Sequence, residues 1–446
     1  MLKSPFPLKK GSKKLINAWA FYDWANSVYP LVISSTIFPI YYATLFDKVN
    51  TISFFDIPIK NTAVISFVIA AAFIIVALSS PILSGIADYL GNKVKFMKFY
   101  VYMGSFSCIS LYWFEIDNIY FGLFFYFLAL IGFWGGLVFY NSYLPEVAYP
   151  DQQDRSSARG FSFGYVGSVS LLLFNLFMIM NPKFFGISGN ESESSIIAMR
   201  YSFILVGVWW ALFSQYSFYY LPRVNIKKKV SSQIFWNGYR ELREVWRLLK
   251  NETGLKRFLP AFFIYSTALQ TVILIAAYFG EEEILWQNTS QKTIGLIVSI
   301  LLIQLVGIIG AYMTARASEK FGNIPVLIIV NISWAIICLI AYHIKSPIEF
   351  YITACFVGLV MGGVQALSRS TYSRLIPKTK NTTSFFSFYD VSEKIGIIIG
   401  MIIFGVLDQF TGNMRTSIIF FFVLFFIGAI MLNRVPRDKL SKKILA

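Results

Sequence analysis

Twelve apolar runs of about 20 residues each constrain this chain more than any other feature of its sequence. A run of that length can cross a bilayer as an α-helix, and six runs lie on each side of a polar connection. The sequence therefore predicts an all-α polytopic membrane protein with twelve transmembrane helices in two six-helix bundles. We expect an N-terminal bundle over 1–221, a basic linker over 222–257, and a C-terminal bundle with a basic tail over 258–446. The approximate runs are 17–43, 62–84, 96–114, 119–143, 161–181, 200–221, 258–280, 292–316, 324–344, 349–373, 387–407 and 415–433.

Positive charge is concentrated on one side of these runs. The net charge is +16. If the chain crosses the membrane at each run, 31 of the 39 Lys and Arg residues lie on the same side of the membrane as the N-terminus, in the tails and alternate connections, and 7 lie on the opposite side. Such an asymmetry over short connections sets the orientation of a membrane protein. Both termini and the linker are therefore predicted to be cytoplasmic. The charge is suited to the anionic inner leaflet and gives no reason to expect nucleic acid as a partner.

The first apolar run carries a polar stripe. Asp23, Asn26, Ser27, Pro30 and Ser34 share one face of a helix. Because a carboxylate is costly against lipid, this face is expected to look into the bundle, and we interpret it as part of a substrate or ion pathway. The alternative is a purely structural hydrogen bond from Asp23, or a carboxylate near enough to the headgroups to stay hydrated.

The linker contains a predicted amphipathic helix over 234–250. Its basic side suggests a helix that lies on the inner leaflet and ties the halves together, and the alternative is a partner-binding helix of the calmodulin-target type. The apolar face comprises Phe235, Tyr239, Leu242, Trp246 and Leu249, and the charged face Arg240, Arg243, Glu244, Arg247 and Lys250.

The two halves repeat a short pattern. Acid-x-x-Gly-Asn follows the second run, with Asp88 and Gly91, and recurs after the eighth run, with Glu319 and Gly322. A Gly-Gly pair also recurs in the fourth and tenth runs. These matches suggest an internal duplication, which in transporters places the binding site between the repeats.

The pattern around Asp88 resembles the signature of the major facilitator superfamily, since Ala87, Asp88, Gly91 and Lys93 are retained. Three longer stretches are similar to the vacuole-effluxer-like branch, which includes fungal vacuolar amino-acid effluxers and bacterial permeases: 18–29, 143–167 and 362–394. The resemblance implies the two-bundle facilitator fold, alternating access, and export of amino acids or similar solutes. By analogy with the bacterial members we expect a cytoplasmic (inner) membrane location. Two departures are Ser266-Thr267, where Asn-Asp is frequent, and Glu393, where a small residue is usual.

The repeated pattern supplies the candidate gate. We interpret Asp88, with Gly91, Glu319 and Gly322, as a gating loop in which the acid meets a helix N-terminus or a basic residue of the other half. The alternative is an ordinary solvated loop charge.

Several polar residues inside the runs are candidates for binding or coupling. Gln365 and Arg369 share a helix face; Gln365 is expected to face the cavity, whereas Arg369 could extend to the headgroups. Gln270 could bind a solute or hydrogen-bond a neighbouring helix. Asp390 adds a further acid in the eleventh run.

The sharpest prediction joins Asp23, Glu393 and Lys394 in one charge group. Asp23 and Lys394 lie at similar depths on helices of opposite halves, roughly 12–14 Å from the cytoplasmic surface at about 1.5 Å per residue. Lys394 could hold a solute carboxylate while an acid carries a proton. The alternative is a static ion pair that holds the bundle together.

These features favour a secondary transporter of a small polar solute, with protons as a possible second partner. The sequence has no Gly-x-x-x-x-Gly-Lys-[Ser/Thr] loop, as a nucleotide-driven pump would need. A membrane sensor or channel is the first alternative. A polytopic enzyme is less favoured, because the single histidine, His343, lies at the outer end of a run. We predict no catalytic residue, no metal site and no cofactor; the three cysteines lie within apolar runs.

Overall fold

The computed structural model describes residues 8–46, 51–54, 57–223, 234–411 and 413–436. The ends of both predicted tails, and 224–233 of the predicted linker, lie outside the described residues. The first half contains α1 (Lys13–Asn26), a π-helix (Tyr29–Ile37), α2 (Phe38–Leu45), strands β1 (Thr51–Phe54) and β2 (Ile57–Lys60), α3 (Asn61–Leu90), α4 (Lys93–Ser110), α5 (Ile119–Asn141), α6 (Leu144–Val147), α7 (Gln153–Met180) and α8 (Glu191–Tyr220). The second contains α9 (Ile234–Asn251), α10 (Thr253–Glu282), α11 (Thr289–Phe321), α12 (Asn323–His343), α13 (Pro347–Leu375), α14 (Thr382–Thr411) and α15 (Met414–Leu432). Short 3-10 turns lie at Leu111–Trp113, Ile116–Asn118 and Pro182–Phe185.

Ten helical segments in the described part of the chain are long and apolar enough to cross a membrane, with α1, the π-helix and α2 counting as one. α4 and α14 complete the predicted twelve by their position in the chain. Both correspond to apolar runs of the sequence, 96–114 and 387–407, but each is charged in its first half: α4 carries three lysines in 18 residues, and α14 carries Asp390, Glu393 and Lys394. The prediction of twelve transmembrane helices is confirmed.

The first membrane helix is not the uninterrupted α-helix that its apolar run predicts. Pro30 has no backbone N–H and lies at the start of the π-helix, where the ladder of hydrogen bonds widens. Thr36 donates its hydroxyl to the Leu31 carbonyl, 2.7 Å away, and so satisfies one of the acceptors that the wider turn changes. α1 and α2 are therefore two helical pieces on either side of a distorted centre.

The two halves meet through equivalent helices. Within the first half α1 packs against α7 and α8, and α4 against α5 and α8. Within the second, α11 packs against α13, and α15 against α10 and α12. Between the halves α3 packs against α14, and α7 against α11 and α13. The second membrane helix of each half thus contacts the fifth of the other, as a duplicated architecture requires.

The remaining connections are short elements at the bundle ends. β1 and β2 form an antiparallel pair in which Thr51 is opposite Lys60. The predicted amphipathic helix is confirmed as α9, which packs against α3 and α14. Among its described side chains Val245 and Leu249 are buried, and Tyr239 and Trp246 of the predicted apolar face are half exposed, at 53% and 51%. The side chain of Phe235, also assigned to that face, lies outside the described residues. Trp246 stacks on Phe388 of α14, with the ring centres 5.5 Å apart.

Candidate functional site

The first buried charge pair joins α1 to α13. Asp23 lies ten residues into α1, about 15 Å from its start at 1.5 Å per residue. One carboxylate oxygen, Oδ2, accepts a hydrogen bond from the Tyr140 hydroxyl at 2.7 Å and lies 3.5 Å from Nη1 of Arg369. Gly160 on α7 makes room for the pair: a Cβ there would lie 2.5 Å from Oδ2 of Asp23. Asp23 is therefore paired across the two halves.

Arg369 is buried, at 4% exposure, and does not extend to the headgroups. Its Nε donates to the Ser157 hydroxyl at 2.9 Å, Nη2 to the Ser157 carbonyl at 3.0 Å, and Nη1 to Asn141 at 3.2 Å. We expected that it could extend to the headgroups because it lies four residues before the end of the predicted run. In the structure Arg369 is buried because its side chain points at α5 and α7 of the first half.

A second charge cluster lies on α14. Lys394 is fully buried; it contacts Asp390 one turn earlier and lies 3.5 Å from Oε2 of Glu393. Asp390 also accepts a hydrogen bond from Ser80 of α3 at 3.1 Å. Gln270 of α10 donates to Glu393 at 2.7 Å. Of the two uses predicted for Gln270, the interhelical hydrogen bond is the one present in the structure.

The predicted group of Asp23, Glu393 and Lys394 is divided between these two clusters. Equal depth in the membrane does not make two residues neighbours, because α1 faces α7 while α14 faces α3. Asp23 is paired with Arg369, and Lys394 has Asp390 four residues earlier on its own helix. The expectation of one group of three was wrong for Asp23, whose base is Arg369, whereas Glu393 and Lys394 do lie together.

Two other candidates lie close to these clusters. Asn26 is one turn beyond Asp23 and is almost fully buried at 1% exposure; its Oδ1 has no hydrogen-bond partner among the described residues. Gln365, one turn before Arg369 on α13, accepts a hydrogen bond from the Tyr165 hydroxyl of α7 at 3.4 Å. Gln365 therefore lies at the contact between the halves.

Asp88 joins the two halves at one end of the bundle. We call this end the basic face: it holds the start of α1, the end of α3 and the start of α14. Asp88 lies in the last turn of α3 and not in a loop, because α3 continues until Gly91, whose φ of 64° ends it. Its Oδ1 accepts the backbone N–H of Thr383 at 3.2 Å and its Oδ2 that of Ser384 at 2.7 Å. The predicted contact with a helix N-terminus of the other half is present at the start of α14.

The equivalent position in the second half makes an ion pair instead. Glu319, near the end of α11, binds the guanidinium of Arg155 on α7, with Nη2 2.6 Å from Oε2. Gly322 follows with a φ of 86° and allows the turn into α12. The two repeats therefore both present an acid to the fifth membrane helix of the opposite half, with different partners.

Two more contacts at the basic face were not predicted. Asp154 of α7 lies 2.5 Å from Nη2 of Arg374 on α13. Lys93 contacts both Glu146 and the hydroxyl of Thr382 at the start of α14. The sequence does show acidic and basic residues at helix ends in both halves. It does not show which helix ends meet, so these pairs could not be assigned from it.

The described residues contain no cluster of three or more His, Cys, Asp or Glu side chains suited to a metal ion. Cys108, Cys338 and Cys355 are free thiols. Among the described residues the buried cationic side chains are Arg369 and Lys394 within the bundle and Lys93 near its end.

The sequence is similar to one known protein family over almost its whole length. The family model described as "Vacuole effluxer Atg22 like" matches residues 11–444. The chain belongs to this Atg22-like family. The MFS-type transporter YxiO of Bacillus subtilis is 30% identical over 432 residues, 97% of each chain. Autophagy-related protein 22 of Eremothecium gossypii is 28% identical over 313 residues, which cover 65% of this chain and 58% of the fungal protein. The chain thus spans little more than half the length of that fungal relative.

Solved structures confirm the fold. The proton:xylose symporter XylE matches with a TM-score of 0.71 at 15% identity over 96% of each chain. The Escherichia coli fucose:proton symporter FucP matches with a TM-score of 0.67 at 14% identity over 95% of this chain and 98% of its own. This Atg22-like protein therefore has the major facilitator fold, is a secondary transporter by class, and is not an enzyme. The family resemblance inferred from the sequence is confirmed.

Proposed function

We propose that this Atg22-like protein exports amino acids or closely related zwitterionic metabolites by alternating access, with a proton as the coupling ion. Proton coupling is supported by the charge balance of the α14 cluster. It contains two acids, Asp390 and Glu393, and one base, Lys394, all inside a membrane helix. With all three ionised the cluster has one negative charge in excess, which is costly in the bilayer interior. A proton on one acid removes that excess.

The groups around the cluster are neutral, so Asp390 and Glu393 are the side chains that could carry the proton. The groups that face it from neighbouring helices are neutral: Ser80 of α3, Tyr100 of α4, and Gln270 of α10. The Lys394 ammonium lies 4.6 Å from the ring centre of Trp134 on α5. Tyr389 lies four residues before Glu393 on α14 itself. Glu393 is the more accessible acid, with 17% of its side chain exposed against 3% for Asp390.

The solute assignment is supported by the chemistry of the two clusters. Each combines carboxylate and cationic groups, and a zwitterion needs both for its ammonium and its carboxylate. The family description as an effluxer supports export as the direction. Asp23, Asn26, Gln270, Gln365, Asp390, Glu393 and Lys394 are the proposed binding and coupling residues.

We further propose that the basic face is cytoplasmic in a bacterial inner membrane, with 1–221 and 258–446 as the two moving bundles and 222–257 as the linker. The 31-to-7 distribution of Lys and Arg supports this orientation. The exposed side chains of Arg240, Arg243 and Arg247 on α9 support contact with anionic lipid. The contacts of Asp88 with α14 and of Glu319 with Arg155 would close the pathway at this face and break when it opens.

Counterflow in proteoliposomes tests the proposed activity. Vesicles are loaded with a concentrated unlabelled amino-acid mixture and diluted into buffer that carries only a trace of the radiolabelled amino acids. A transporter accumulates label transiently by exchange, whereas a sensor accumulates none and a channel shows only equilibration. Absence of exchange for amino acids, with exchange for another solute class such as nucleosides or small organic acids, would remove the amino-acid assignment but not the transport function.

A further inference from the structure

Arg369 is a side chain of the second half whose contacts are made by the first half. Its three hydrogen bonds go to Ser157 and Asn141, and its ion-pair partner is Asp23. The guanidinium carbon also lies 4.9 Å from the ring centre of Trp19 and 4.4 Å from that of Phe161. The guanidinium therefore occupies a pocket that belongs entirely to α1, α5 and α7. We call it the guanidinium pocket, lined by Trp19, Asp23, Tyr140, Asn141, Ser157 and Phe161.

The walls of the guanidinium pocket are held by contacts that do not involve Arg369. Tyr140 donates its hydroxyl to Asp23 at 2.7 Å. Trp19 donates its indole N–H to the Tyr140 carbonyl at 3.0 Å, and their rings stack at 4.8 Å. Gly160 leaves the space in which these groups meet. Since these contacts lie within the first half, separation of the halves removes the guanidinium and leaves the carboxylate and aromatic walls in place. The Ser157 hydroxyl, which donates to the Ala366 carbonyl of α13 at 2.7 Å, is freed at the same time.

A vacated guanidinium pocket is a receptor for an organic cation. It offers one carboxylate, amide and carbonyl oxygens, and aromatic faces, which together bind guanidinium and ammonium groups. An unpaired carboxylate inside a membrane protein is costly, so a replacement cation is favoured there. We propose that the solute's cationic group takes the place of Arg369 when the basic face opens, and that Arg369 refills the pocket when the solute has left.

This inference rests on the proposed alternating access and narrows its solute class. The solute carries an ammonium or guanidinium group, so amino acids and their amines are admitted, whereas small acids that lack a cation are excluded. Arg369 acts as an internal substitute for the solute, which lets the empty carrier close without burying Asp23 unpaired. Return of the empty carrier is what net transport requires, in contrast to obligatory exchange.

Chemical rescue tests the guanidinium pocket directly. Arg369→Ala is prepared in the full-length, cysteine-free protein with spin labels at Lys95 and Lys380, two exposed positions on opposite halves of the basic face. The probe is guanidinium chloride at low-millimolar concentration, well below denaturing levels. Urea, its neutral isostere, and sodium chloride at equal ionic strength are the controls. The readouts are the distance distribution between the labels and the thermal unfolding midpoint.

We expect Arg369→Ala to shift the distances towards the open state and guanidinium to restore the closed population, while urea and sodium chloride do not. The parent protein should be unaffected, and Arg369→Ala combined with Asp23→Asn should lose at least tenfold in guanidinium affinity. If guanidinium and urea act alike, or if the double variant is rescued equally well, the pocket is not a cation site. Should the alanine variant fail to fold, Arg369→Gln carries the same test. Because binding is read without transport, a negative result here is distinct from a negative counterflow result.

Discussion

Replacing Asp88 by Asn tests whether this residue controls the opening of the basic face. Each carboxylate oxygen accepts one backbone N–H at the start of α14, from Thr383 and Ser384, and the residue is only 8% exposed. Asn has a single acceptor oxygen, so one of these N–H groups loses its partner and the charge at the helix N-terminus disappears. A hydrogen bond to a charged group contributes about 1.5–3 kcal/mol, and the interaction with the helix dipole about 0.3–1 kcal/mol.

We expect the closed state to lose about 2 kcal/mol relative to the open state, because water replaces the lost partners only when the face opens. At about 1.4 kcal/mol per factor of ten, the ratio of closed to open molecules falls roughly 30-fold. Electron–electron distance measurements between labels at Lys95 and Lys380 report this ratio. Transport should slow while equilibrium solute affinity stays within a few-fold.

The matched control is Asp151→Asn, which removes an exposed acid near the start of α7 and should leave the distances unchanged. An unchanged distance distribution in Asp88→Asn would refute the closing role of Asp88. Loss of solute binding in parallel with loss of transport would instead place Asp88 in the binding site.

Two further predictions concern topology and packing. Single cysteines are placed at Lys10, Lys229 and Lys442 in an otherwise cysteine-free chain. An impermeant reagent should label them only after the membrane is opened, and labelling of any one in intact cells contradicts the proposed orientation. Gly160→Ala should reduce the free energy of unfolding by about 1–3 kcal/mol and so lower the unfolding midpoint, because the new Cβ would lie 2.5 Å from Asp23 and 3.1 Å from Arg369. Gly405→Ala, where no atom lies within 4 Å, is the matched control, and equal midpoints for the two variants contradict the close packing.

The sequence predicts the fold well because bilayer thickness and loop charge act on long stretches of chain. The twelve runs and their division follow from length and hydropathy, which do not depend on which helices touch. Helix ends were less predictable. α3 extends past its apolar run to include Asp88, because a helix continues through polar residues until a residue such as Gly91 ends it.

The site was predictable only where chemistry fixes the partner. An acid such as Asp88 at the end of one repeat suits a helix N-terminus, and the structure provides one. Asp23 and Lys394 were matched by depth, but depth does not give the direction in which a helix face points. Arg369 was missed as the partner of Asp23 for the same reason, since that contact depends on the packing of α7 against α13.

In the proposed mechanism a proton on the α14 cluster drives solute movement, and Glu393→Gln removes the more accessible of the two acids that would carry it. Proteoliposomes with a pH-sensitive dye inside are given radiolabelled amino acids, and proton and solute fluxes are recorded together. The parent should move protons in the direction opposite to the solute, as proton-driven export requires, and should accumulate label when the vesicle interior is acidic. Glu393→Gln should keep gradient-free exchange but lose both proton movement and accumulation, while Glu252→Gln, an exposed acid on the basic face, behaves like the parent. Accumulation by Glu393→Gln equal to that of the parent under the same gradient would contradict the claim.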